Sequence, residues 1–169
     1  MAGVRSRSRL SLRVRSDTAV KLGSMTCRVE DVTVLVLADG DRSRGFDTEA
    51  RASSKHAMRG SVLVRPTGDL DHLRRALLGR PSFALGVGAL DAVLTARVTS
   101  EALGRAVLDD RAIAFLQLAV SRPLRALCYS DGSIAVRWAG LERAPDVLTE
   151  AIGLVAHLAV IGGACAPYR

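Results

Sequence analysis

Apolar positions along this chain recur at two spacings, every second residue and every third or fourth, and the two regimes divide it into strands and helices. The most consistent stretch runs from Arg122 to Gly163. It reads RPLRALCYS, an Asp-Gly pair, SIAVRW, and then APDVLTEAIGLVAHLAVIGG. Asp131-Gly132 between two β-branched-rich runs predicts a two-residue type I′ hairpin, which needs positive φ at both loop positions. Counting outward from that loop pairs Ser130 with Ser133, Tyr129 with Ile134, Cys128 with Ala135 and Leu127 with Val136. The same count pairs Ala126 with Arg137 and Arg125 with Trp138. Side chains alternate faces along a strand. Leu127, Tyr129, Ile134, Val136 and Trp138 therefore share a bulky face suited to a core. Leu124, Ala126, Cys128, Ala135 and Arg137 share a small one.

The following helix opens on Pro145, with Asp146 and Glu150 suited to the positive end of its dipole. Val147, Leu148, Ala151, Ile152, Val155, Leu158 and Ala159 form its apolar stripe; Asp146, Glu150, Gly153 and His157 form a narrow polar one. Gly162-Gly163 predicts a left-handed stop. The helix is expected to lie on the bulky face of the hairpin. A bilayer span needs about 20 predominantly apolar residues, and Glu150 and His157 interrupt this run, so no transmembrane segment is expected.

Upstream, Arg9 to Arg15 alternates Leu10, Leu12 and Val14 against arginine and serine, the pattern of a half-buried edge strand. A polar turn is expected over residues 16–23, and a second apolar region through Cys27 and Val29. Val32 to Leu37 predicts a central strand covered on both faces. Residues 38–45 read as a loop, 46–52 as an edge strand, 53–60 as a further loop and 61–65 as a strand ended by Pro66. Gly68 to Leu78 is an amphipathic helix capped by Asp69. A Gly- and Pro-punctuated connector over 79–88 then leads to a strand over 92–98. Ser100 and Asp109 each cap a short helix, the second presenting Ala112, Phe115, Leu116 and Ala119 inward. Residues 1–8 read as a basic, disordered tail, 9–163 as one globular domain and 164–169 as a C-terminal tail.

Composition modifies this picture in two places. Of the 24 basic residues only Lys21 and Lys55 are lysines, and the net charge is +7. Arg5, Arg7, Arg9, Arg13 and Arg15 all precede the first acid, Asp17, so that segment holds most of the excess. Arg9, Arg13 and Arg15 are accordingly the candidate anion-binding residues, for nucleic acid or an anionic lipid surface. The three cysteines, Cys27, Cys128 and Cys165, are widely spaced and odd in number, which points to a reducing compartment rather than a disulfide framework.

Other candidate chemistry has simpler explanations. Asp69, Asp71 and His72 sit close in sequence, but adjacent helical positions diverge around the axis, so capping and first-turn roles account for both acids. Asp39-Gly40-Asp41 lacks the downstream glycine and glutamate of a calcium loop. Gly86-Val87-Gly88 lacks the third glycine of a dinucleotide loop and reads as a bend before a strand. His157 is two turns from Glu150 and finds no carboxylate on its own helix, so it reads as an ordinary histidine. Cys128 has Arg125 and Arg137 nearby, which invites a depressed thiol pKa, yet a small packing residue suffices. Arg125 stacking on Trp138 would be a structural cation–π contact.

Residues 61–161 contain GDLDHLRRALLGRPSFALGVGALD, then VLTARV, SEALGRAVLDD and LRALCYSDGSIAVRWAG, and the closing helix. In this order they resemble an uncharacterised bacterial soluble domain that commonly follows transmembrane helices in myxobacterial and related proteins. The resemblance implies no assigned activity, and this chain departs from the pattern in having no membrane helix.

The expected fold is α+β, an antiparallel-rich sheet with three to four helices packed mainly on one face. No convergent set of titratable residues is visible, so the leading reading is a non-catalytic interaction or scaffold domain of a bacterial cytoplasmic protein. It would bind another protein or itself, with no cofactor and no metal. The alternatives are a peripheral binder acting through the N-terminal arginines, and an enzyme whose site is not visible as a motif.

Overall fold

The computed structural model describes residues 19–41, 45–54, 57–71 and 83–164. Seven strands form one sheet in the order β1-β2-β3-β7-β6-β4-β5, and every neighbouring pair is antiparallel. They are β1 (Ala19–Val29), β2 (Val32–Asp41), β3 (Gly45–Ser53), β4 (Ser61–Pro66), β5 (Leu94–Val98), β6 (Leu124–Ser130) and β7 (Ser133–Ala139). Four helices interleave with them among the described residues: α1 (Gly88–Val93), α2 (Glu101–Val107), α3 (Asp110–Ala119) and α4 (Pro145–Ala164). The expected α+β class, antiparallel sheet and one-sided helical layer all hold.

The β6–β7 hairpin forms as its turn chemistry dictates. Asp131 and Gly132 both take positive φ, 46° and 84°, and the register from Ser130↔Ser133 to Ala126↔Arg137 is as counted. Beyond that a bulge intervenes, and Trp138 faces Leu124 rather than Arg125. The extra residue returns Leu124 to the core face, where it is buried with Leu127, Tyr129, Ile134, Val136 and Trp138. Arg125 is thereby turned outward, and its guanidinium meets Asp47 at 2.9 Å instead of the indole.

Helix α4 lies across β2, β3 and β7 and packs against α3, while α2 covers β4 and β5. Val147, Ala151, Leu154, Val155, Leu158 and Ala159 form its buried face, with Leu148 and Ile152 half-buried beside them. The helix runs on through Gly162 and Gly163 to Ala164, so the glycine pair does not stop it at this point. Phe115 of α3 meets the buried Trp138 edge to face, centroids 6.3 Å apart. Ser100 and Asp109 cap α2 and α3 as expected, accepting from the backbone N–H of Leu103 and Ala112.

The N-terminal half departs further from the sequence pattern. Ala19 to Gly23, expected in a polar turn, belongs to β1, which joins β2 around Glu30-Asp31. Strand β2 is one place in from the sheet edge rather than central, and Thr33 and Leu35 on its outer face are exposed and half-buried. Ala38 to Asp41 extend β2 instead of forming a loop, and Gly45 already opens β3. Strand β3, expected at an edge, is bonded on both sides, to β2 and β7. Residues Gly88 to Val93, partly expected as strand, form α1, and β5 starts at Leu94. The expected strand over residues 9–15, the tail at 1–8 and the residues after Ala164 lie outside the described residues.

Candidate functional site

The face of the sheet turned away from α2, α3 and α4 is dressed in paired charge. Alternation places Asp47, Glu49 and Arg51 of β3, Arg137 of β7, Arg65 of β4 and Arg97 of β5 on it. Arg137 reaches Glu49 at 2.6 Å, Arg51 lies 3.7 Å from the same carboxylate, and Arg125 holds Asp47. At the β4–β5 side, Arg65 and Arg97 converge on one oxygen of Asp71, at 2.8 and 2.9 Å. The other oxygen accepts from the Gly68 N–H at 3.2 Å. Asp71 is thus buried and accepts from the N–H three residues back, consistent with the first-turn position expected of it, whereas Asp69, expected as the cap, is exposed. The Gly68 N–H, with the two guanidinium groups, holds the Asp71 carboxyl below the ordinary carboxylate range despite its burial. His72 lies outside the described residues.

Cys128 sits half-buried in the middle of this face, opposite Ala135 and Leu63. Burial pushes its thiol up, and Arg137 offsets only part of that. A depressed, reactive thiolate is therefore not what the position provides, and the small-packing-residue reading stands. Cys27, buried under α4, is raised by burial as well. Among the described residues no three His, Cys, Asp or Glu side chains are grouped to hold a metal ion.

At the end of the sheet, two adjoining clefts open where the β1–β2 turn meets the second half of α4. The larger, about 840 Å³, is lined by Thr33, Arg51, Ser53, Ser54 and Ser133 from the strand ends, with Glu30, Asp31 and Val160 at its sides. The smaller, about 270 Å³, shares Glu30, Val32 and Val160 and adds Arg111, Gly153 and His157. Here His157, which has no carboxylate on its own helix, finds one on α3. Its Nε2 lies 2.7 Å from Asp109 Oδ2, and a carboxylate acceptor makes that nitrogen the N–H donor. Asp109 is the α3 cap, so one carboxylate serves the Ala112 N–H and the imidazole together. The pair is 48 residues apart in sequence, which is why helical spacing around His157 missed it.

Arg9, Arg13 and Arg15, the candidate anion-binding residues, lie outside the described residues. Gly86-Val87-Gly88 bends into α1, where Asp91 accepts the Leu85 N–H at 2.8 Å; it cradles no phosphate motif.

No family model matches the chain, and no curated protein matches it. Among solved structures it is similar to the crystal structure of the mycobacterial trehalose monomycolate transport factor A, TtfA, at 12% identity and a TM-score of 0.55. The similarity spans 92% of this chain and 79% of that one. At such identity the likeness is one of fold. Among the described residues no helix is long and apolar enough to cross a membrane.

Proposed function

We propose that this chain is a non-catalytic interaction domain of a bacterial cytoplasmic protein, holding a partner protein in the larger cleft at the end of the sheet. The observation that carries the reading is a separation of parts. The hydroxyls of Thr33, Ser53, Ser54 and Ser133 line the larger cleft, while the oriented imidazole of His157 lines the smaller one. Nucleophilic catalysis needs a nucleophile within hydrogen-bond reach of its base, and among the described residues the His157–Asp109 pair has none in its cleft. A broad cleft of mixed lining, with Arg51 and hydroxyl residues beside Leu35, Ala52 and the exposed Val160, suits side-chain and backbone docking instead. The designation of TtfA as a transport factor, on the same fold, agrees with a role in handling a partner.

A photo-crosslinking residue placed at Val160, which is 51% exposed, identifies the partner in the native host. The purified partner is then titrated against the wild type, Val160→Arg and Arg105→Ala on α2. The reading expects Val160→Arg to weaken binding at least about tenfold and Arg105→Ala to leave it unchanged. Equal affinity for all three proteins, or no crosslinked product, overturns it.

A further inference from the structure

Arg111 is the feature of the smaller cleft that the fold leaves unexplained. Most arginines of the described sheet and helices hold a carboxylate, including Arg65, Arg97, Arg105, Arg125 and Arg137. Arg111 has no hydrogen bond or ion pair among the described residues, yet it is closely placed. Its terminal nitrogen lies 2.7 Å from where a Cβ on Gly153 would stand. A glycine inside a helix is unfavourable relative to alanine, and here it clears the surface of α4 for a guanidinium. The clearance aims the cation into a pocket of about 270 Å³ whose other walls are Val29, Val32, Ala156 and Val160. His157, fixed by Asp109, closes one side.

We infer that this pocket binds a small aliphatic carboxylate, its head held by Arg111 and its hydrocarbon body laid against the valines. A planar guanidinium matches a carboxylate with two parallel N–H bonds, and Val29, Val32, Ala156 and Val160 supply the apolar wall that a small-ligand site sets beside its polar groups. Glu30, also in the lining, decides between anion classes. A monoanion meets less repulsion from it than a phosphate dianion does. The site adjoins the docking cleft and shares Glu30, Val32 and Val160 with it, but Arg111 and Gly153, on which the inference turns, do not line that cleft.

The test uses the full chain, with hexanoate as the probe and hexanol and inorganic phosphate as controls. Binding is followed by calorimetry and by the ring resonances of His157. Hexanoate is expected to bind saturably and to move those resonances, with hexanol and phosphate at least about tenfold weaker. Arg111→Gln is expected to lower hexanoate affinity at least about tenfold. Gly153→Ala is the sharper variant. It strengthens the helix by propensity, so its melting temperature holds or rises, while the new methyl displaces Arg111 and hexanoate binding falls by a similar factor. The inference fails if hexanoate leaves His157 unmoved, or if Gly153→Ala, still folded, binds it as the wild type does. Phosphate binding as tightly as hexanoate also overturns it.

Discussion

Among the described residues Trp138 is the largest fully buried side chain, and its indole N–H finds no hydrogen-bond partner there. Its contribution is therefore packing, against Phe115 above all. Trp138→Ala is expected to cost about 3–5 kcal/mol in urea unfolding, a large share of an ordinary domain's stability. Cys128→Ala, on the opposite face, is expected to cost less than about 1 kcal/mol; the reverse order would mean the faces are misassigned. Asp71 sets a pH dependence. Its folded carboxyl lies below the ordinary range, so folding favours the ionised form. That contribution is complete above the unfolded carboxyl pKa and disappears as pH falls through the lower folded value. Asp71→Asn should thus lower the urea midpoint near neutrality, where Arg65 and Arg97 lose their shared partner, and the gap to wild type should close in acid. A gap that persists unchanged in acid would contradict the assignment. Sequence reasoning reached the faces of Trp138 and Cys128 because alternation is local. It missed the burial of Asp71 and the partner of His157, because both depend on residues brought from other elements.

The elements separate in the same way. The β6–β7 hairpin was legible because its turn residues and both strands lie within one short stretch, and the α2 and α3 caps were legible for the same reason. The rank of a strand in the sheet was not. Strand β3 carries Asp47, Glu49 and Arg51 on its outer face, a charged alternation that reads as an edge, and only its bonding to β7 makes it interior. The Arg125 bulge likewise shows no sequence signature, because its cause is the demand for Leu124 in the core and for Asp47 opposite the guanidinium. The hairpin tip is clasped from outside: Asp131 accepts the Gly60 N–H, and Tyr129 donates to the Met58 carbonyl. Gly132 therefore faces two constraints, its φ of 84° and a Cβ position 2.5 Å from the Ala57 methyl. Gly132→Ala is expected to cost about 1–3 kcal/mol, measured by thermal or urea melts. A neutral result would mean that Ala57 does not close over the tip.

At the scale of the whole molecule, the charge excess is concentrated ahead of the described sheet. If Arg5, Arg7, Arg9, Arg13 and Arg15 acted together on duplex DNA, five phosphate contacts would give a slope of log K against log salt of about −4.5. A solubilising role predicts weak binding, lost by physiological salt, with a much shallower slope. A salt titration of the full chain beside one lacking residues 1–8 decides between them; tight, salt-resistant binding abolished by the truncation would establish a nucleic-acid role.

The strand order also has a consequence for how the chain is made. Strands β1, β2 and β3 follow one another, but the far side of β3 pairs with β7, the last strand among the described residues. Ser53 meets Ser133, about 80 residues later, so the pairing is strongly non-local and slow to close. At about 5–20 residues per second of synthesis, the three-strand ribbon waits several seconds on the ribosome with the edge of β3 unpaired. Its alternating acids and arginine are then the protection of a nascent edge against the edges of neighbouring chains, and only afterwards the ion pairs of a finished sheet.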